Sequence, residues 1–173
     1  MIVALTGTPG TGKLSVGHVL VARGYAVVDL NALGRECGAI VGRDAADGTG
    51  EVDLEILRSA LHGPAKMVFL RGHYAHLLDV NLAIVLRCRP SVLRARLEAR
   101  GWPPAKVREN IEAEALDVIT QEAVARIPWV SEVDTTALYP QEAAAQVLAI
   151  LQGKTEGHEP GRIDWGEEVL TWS

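Results

Sequence analysis

Seven residues near the start, Gly7-Thr8-Pro9-Gly10-Thr11-Gly12-Lys13, leave this chain few folds to choose from. They fit G-x-x-x-x-G-K, a phosphate-binding loop. Glycines let the backbone turn tightly, so that successive N–H groups point inward at a phosphate. The helix that follows adds its positive N-terminal end. Lys13 supplies a compact cation for the β- and γ-phosphates of a nucleotide. A short glycine pattern also arises by chance in inert turns, so context matters. Here Ile2-Val3-Ala4-Leu5 reads as a buried strand before the loop, and Val16 to Val21 reads as helix after it.

A length of 173 residues favours one domain with a sizeable core. The chain is 48% hydrophobic and 23% charged, the balance of a globular protein. No apolar run approaches the roughly 18–20 residues of a membrane span, so no membrane partner is expected. The start lacks a basic segment and a cleavage site of a signal peptide. Cys37 and Cys88 make neither a disulfide framework nor a metal pair, and two reduced thiols place the protein in the cytoplasm. The net charge is −5, yet residues 87–108 hold seven cations against Glu98 alone. A locally basic segment in an acidic chain suits a small polyanion better than a broad nucleic-acid surface. Direct sequence-specific nucleic-acid binding is therefore not expected. A solvated basic helix face is the alternative.

In chain order, helix one spans about Lys13 to Arg23 and stops at Gly24. Tyr25 to Val28 forms strand two and closes on Asp29, which completes a βαβ unit and implies a parallel sheet. Residues 30–53 are glycine-rich and polar, and read as a short helix and an excursion that covers a substrate, or as an ordinary surface loop. Asp53 caps a helix that ends near His62-Gly63-Pro64. Lys66–Leu70 and Leu82–Leu86 are continuous apolar runs, as buried parallel strands are. Pro90 opens a helix in which Leu93 and Leu97 face inward and Arg96 and Arg100 share another face. After Gly101-Trp102-Pro103-Pro104, one long helix is expected over Ala105–Arg126. Strand five is Trp129–Val133 and the last long helix is Gln141–Leu151. A polar linker follows, then a tail with Trp165 and Trp172 that docks by its aromatic side chains. The pattern is a doubly wound α/β nucleotide-binding fold: five parallel strands with helices on both faces.

Several further stretches carry a resemblance: GlyHisTyrAlaHisLeuLeu at 72–78, LeuArgCysArgPro at 86–90 and ArgLeuGluAlaArgGlyTrp at 96–102. LysValArgGluAsnIleGluAlaGluAlaLeuAspVal at 106–118, AspThrThr at 134–136 and ArgIleAspTrp at 162–165 add to it. With the phosphate loop, they resemble the adenylate kinase isoenzyme six family of archaea and the eukaryotic nucleus, over nearly the whole chain. The resemblance implies a nucleoside monophosphate kinase-like P-loop domain over 1–173, transferring the γ-phosphoryl of ATP to AMP with Mg2+, and an ATPase activity. It implies a monophosphate-binding insertion at about 30–53, a lid at about 99–109, and a tail at about 153–173. It also implies a role in maturing the small ribosomal subunit and its rRNA, through a ribosomal protein and the pre-ribosome. Carried over, Gly10, Gly12, Lys13, Leu14 and Ser15 hold the ATP phosphates, Leu14 by its backbone N–H. Arg100 is the lid arginine, with Arg96 a weaker candidate. His73 is either close to the phosphates, tied to hydrolysis, or a cap on its loop.

The chain departs from that family at three places. Leu14 stands where a phosphate loop places a magnesium-binding hydroxyl, which leaves Ser15 or water as the ligand. Arg71 stands where many relatives carry an acidic residue, with Asp29 as a substitute. Ala137-Leu138 replaces a Gly-Lys pair near the adenine. His76 reads as structural, Trp102 as packing at the hinge or stacking on a base, and His18, His62 and His158 as surface residues. Two rivals to the kinase remain: an assembly factor in which nucleotide is a switch, and another small P-loop metabolite kinase.

Overall fold

The computed structural model describes residues 1–41, 51–61 and 66–169. The polar stretch 42–50, the turn at 62–64 and Trp172 lie outside the described residues. In chain order the elements are β1 (Ile2–Thr6), α1 (Lys13–Ala22), β2 (Ala26–Asp29), α2 (Leu30–Glu36), β3 (Ile40–Val41), β4 (Glu51–Val52) and α3 (Leu54–Ala60). Then come β5 (Val68–Arg71), a 3-10 turn (Ala75–Leu77), β6 (Leu82–Arg87), α4 (Pro90–Glu98), α5 (Pro104–Ala115) and α6 (Val118–Val124). β7 (Val130–Asp134), α7 (Pro140–Leu151) and α8 (Gly166–Val169) complete the chain.

The main sheet has five strands in the order β2-β5-β1-β6-β7, and every pairing is parallel. Alternation along each strand divides the core in two. Val3 and Leu5 of β1 pack with Val16 and Leu20 of α1 and with Ala144 and Val147 of α7. Ala4 of the same strand faces the other way, with Leu30, Leu57, Ala75 and Ala123. Helices therefore cover both faces, as parallel sheets require. A smaller cluster of Leu93, Leu97, Val107 and Ile111 joins α4 to α5.

Local chemistry sets the helix ends. The Asp29 carboxylate accepts from the N–H groups of Asn31 and Ala32, at 2.9 and 3.2 Å, and caps α2. Asp53 caps α3 in the same way through Glu55 and Ile56. Proline opens α4, α5 and α7. Gly24 follows α1 at φ 86°, the left-handed conformation that ends a helix.

Two features differ from the sequence expectation. The helix expected over Ala105–Arg126 is two helices, α5 and α6, broken at Asp117 (φ 54°). Asp117 tolerates that backbone because its carboxylate pairs with Nη2 of Arg87. The strands β3 and β4 form a two-stranded antiparallel ribbon that the sequence did not suggest. The tail docks through Trp165, which is 8% exposed, and its Nε1 lies 3.4 Å from Oε1 of Glu114. Glu168 accepts from the N–H of Ser91 at 2.5 Å, so the tail also caps the start of α4.

Candidate functional site

The loop from Gly7 to Gly12 lies at the carboxyl edge of the sheet, between β1 and α1. Gly7, Gly10 and Gly12 have φ of 134°, 95° and 102°. A Cβ on Gly7 would stand 2.3 Å from the Leu86 carbonyl oxygen, and one on Gly10 would stand 2.6 Å from Cδ1 of Leu93. Gly7 and Gly10 are thus required by both conformation and close approach, and Gly12 by conformation alone. The Thr11 N–H and hydroxyl both bond the Thr8 carbonyl, at 3.2 and 2.8 Å.

Lys13 Nζ donates to the carbonyls of Gly7 at 2.5 Å and Thr8 at 2.9 Å, so its charge sits over the loop. Burial lowers its pKa to about 7; Glu114 opposes this, and Arg100 and Arg71 push the same way as burial.

Two cavities share the loop. The smaller, ≈ 290 Å³, is lined by Gly10, Gly12, Ser15, Arg96, Arg100, Thr135 and Leu138. The larger, ≈ 900 Å³, takes in Gly10, Gly12, Lys13, Leu14, Asp29, Arg35, Arg71, His73, Tyr74 and Arg100. The structure therefore brings all the sequence-predicted site residues around one loop. Leu14 and Ser15 diverge, Leu14 toward the larger cavity and Ser15 toward the smaller. Arg96 is committed to backbone: Nη2 donates to the Thr135 carbonyl at 2.9 Å. Arg100 is exposed on the rim and lines both cavities. Trp102 is half-buried against the α4–α5 cluster and also lines the larger cavity.

His73 opens an edge to the larger cavity, while its concave surroundings and then the Lys13 charge lower its pKa. The ring is neutral at neutral pH. His76 is buried, with Nδ1 3.1 Å from the Thr6 hydroxyl and Nε2 2.9 Å from Glu122. His158, expected at the surface, is half-buried and lies 2.8 Å from the Glu132 carbonyl.

The basic segment needs correction. Its first member, Arg87, is 1% exposed and pairs with Glu114, Asp117 and Glu132, so it is not a surface cation for a polyanion. Burial alone would lower the Arg87 pKa, but the carboxylates, Glu114 foremost, raise it. Glu114 is the hub that sequence reading missed. Its Oε1 accepts from Arg87 Nε at 2.7 Å and from the Cys88 N–H at 3.1 Å, and Oε2 accepts from the Thr8 hydroxyl at 2.5 Å. The signal was present, since Val107, Ile111 and Glu114 lie on one stripe of α5. The individual residues of one wall of the larger cavity were not singled out either: Asn31 and Arg35 on α2, and Tyr74, whose hydroxyl donates to Asn31 Oδ1 at 3.0 Å. Burial raises the Tyr74 pKa to about 12, which keeps that hydroxyl a donor. Cys88, held up at about 11 by burial, is an unreactive thiol.

Known proteins share this architecture. A family model described as an AAA domain matches residues 3–117. A protein named "Putative adenylate kinase" from Archaeoglobus fulgidus is 44% identical over 98% of this chain and 94% of its own. One of the same name from Methanothermobacter thermautotrophicus is 42% identical over 98% of this chain and 99% of its own. Among solved structures, a shikimate kinase from Acinetobacter baumannii superposes with TM-score 0.58 at 13% identity, over 88% of this chain and 93% of that one. A deoxyadenosine kinase from M. mycoides gives TM-score 0.55 at 13% identity, over 88% and 99%. These two show the fold alone. On the strength of full-length identity, the chain belongs to the archaeal family that carries the adenylate kinase name, built on a P-loop domain.

Proposed function

We propose that this chain moves the γ-phosphoryl group of ATP to AMP or a closely related nucleoside monophosphate. One observation carries the reading: a single phosphate loop is shared by two cavities that meet at Gly10, Gly12 and Arg100, with Lys13 on the larger one. The smaller, closed by Thr135 and Leu138, suits the donor nucleoside; the larger, walled by α2 and Tyr74, suits the acceptor. Phosphoryl transfer is chiefly positioning and charge neutralisation. Gly10, Gly12, Leu14 and Ser15 present the loop and α1 N–H groups to the donor phosphates, and Lys13 moves from its loop carbonyls onto them. Arg100, on the segment 99–109, closes over the transferred group as a lid and excludes water. His73, neutral, offers a hydrogen bond beside the reacting oxygens.

Magnesium fits this site with few protein ligands. Ser15 offers a hydroxyl to the donor cavity, where the Thr135 hydroxyl is taken up by the Thr11 and Arg87 carbonyls, and Mg2+ habitually keeps several waters and substrate phosphates. It would supply charge neutralisation on the β- and γ-phosphates. Asp29 is already occupied by the α2 cap and Arg71. That occupancy, with Leu14 in the usual hydroxyl position, favours a second reading: a nucleotide-switched factor in small-subunit rRNA maturation, with slow ATP hydrolysis and little kinase turnover. The family resemblance alone supports the ribosomal partner.

A bisubstrate compound, two adenosines joined by five phosphates, separates the readings. If both subsites exist, calorimetry gives at least about tenfold tighter binding than ATP alone. Binding no tighter than ATP means one subsite and removes the transferase reading.

Lys13 makes ATP binding depend on pH. Its pKa of about 7 rises when phosphate oxygens surround it, so above pH 7 binding draws a proton from solvent. ATP affinity is expected to fall from pH 7 to pH 9. Calorimetry in buffers of different ionisation enthalpy should show net proton uptake near pH 8; no uptake would contradict the assigned role of Lys13.

A further inference from the structure

We infer that Arg71 reads the phosphate of the acceptor, and so sets the preference for a nucleoside monophosphate over an unphosphorylated acceptor. The inference rests on the transferase reading above. Arg71 ends β5 at the carboxyl edge of the sheet, in register with Leu5 of β1 and Asp29 of β2. That edge is where ligands bind in open parallel sheets.

Its side chain is held at two points. The stem crosses α1 at Gly17, where a Cβ would stand 2.9 Å from Cδ of Arg71. A glycine inside a helix weakens the helix, so a packing reason is expected, and the Arg71 stem provides it. At the other end, Nη2 pairs with Oδ2 of Asp29, whose Oδ1 is used by the α2 cap. One carboxylate thus fixes both the guanidinium and the start of the helix that carries Asn31 and Arg35.

Arg has five donors and Asp29 engages one nitrogen of the fork. The guanidinium is half-buried and lines the larger cavity between Lys13 and the wall of Asn31 and Tyr74. It is close enough to Lys13 for its charge to depress the lysine. Arg71 therefore stands at the seam, with donor phosphates on one side and the acceptor wall on the other. A planar fork at a fixed place matches two oxygens of a phosphate, and loses little freedom when it binds them. A nucleoside acceptor, lacking those oxygens, gains nothing from it.

The test is equilibrium binding of AMP, adenosine and ATP to wild type, Arg71→Ala and Arg71→Lys, with melting temperatures to show that each variant folds. Arg71→Ala is expected to weaken AMP by about tenfold or more, ATP by less than about twofold, and adenosine not at all. Arg71→Lys, which keeps charge without the fork, should fall between wild type and alanine. AMP affinity unchanged in Arg71→Ala, or AMP, adenosine and ATP weakened alike, overturns the inference and leaves the transferase reading standing. A wild-type protein that binds no nucleoside monophosphate overturns both. If Arg71→Ala does not fold, Arg71→Lys decides: AMP affinity unchanged, or AMP and adenosine weakened alike, overturns the inference, and a selective loss on AMP supports it.

Discussion

Lys13→Ala loses nearly all ATP binding and turnover while keeping its fold. The ammonium is the compact cation over the loop, with Nζ 2.5 Å from the Gly7 carbonyl. Charge-assisted contacts to phosphate are the strong ones, so ATP should bind about a hundredfold more weakly or worse, and turnover should fall by about a thousandfold. Folding should be spared. Burial depresses the Lys13 pKa, which means the folded state disfavours the charged lysine, so its removal relieves a penalty. Calorimetry with ATP and a thermal melt, run together, check both halves. Full ATP affinity in the variant would refute the loop assignment.

Arg87→Leu has the largest expected effect on stability. Arg87 is 1% exposed, and Glu114 and Glu132 beside it are also buried. Removing the guanidinium leaves Glu114, Asp117 and Glu132 without their shared cation. Losing one partner from a buried charge cluster costs about 3–5 kcal/mol. For a chain of this size, that corresponds to a fall of roughly 6–20 °C in melting temperature. The deficit should shrink as the pH falls from 7 to 5. In the variant, burial raises the pKa values of the orphaned carboxylates above their unfolded values, as burial already does for Asp117 against the pull of Arg87. Stability lost at neutral pH is then regained on protonation. Differential melts of wild type and variant across that range measure it. The phosphate loop is coupled to the same cluster through Thr8 and Glu114, so the variant should also bind ATP more weakly than wild type.

Much of this was legible in the sequence because it is local. A glycine loop between an apolar strand and a helix, Asp53 before α3 and prolines at helix starts each act within a few residues. Five short strand-like runs and their order implied the parallel sheet. What escaped was set by contacts distant along the chain. The α5–α6 break was hidden because Ile111, Ala115, Val118 and Ile119 keep a helical period across it. The left-handed turn at Asp117 depends on Arg87, 30 residues away. Arg87 itself reads as one more cation in a basic run, and only the fold brings Glu114 and Glu132, 27 and 45 residues distant, against it. The ribbon of β3 and β4 has two residues per strand, too few to show a period. In the site, the phosphate loop was legible as a motif, and residues 30–53 were legible as a region covering a substrate. How Asn31, Arg35, Arg71 and Tyr74 meet on one wall was not, because they come together only when α2 and β5 are adjacent.

The central claim is transfer between two nucleotides across one loop. It is tested most directly by following ADP formation from ATP with magnesium, with AMP, CMP, UMP or no acceptor present. The account predicts that AMP stimulates turnover well above the rate without acceptor, and that two ADP appear for each ATP consumed. Tight ATP binding with no stimulation by any monophosphate would contradict it.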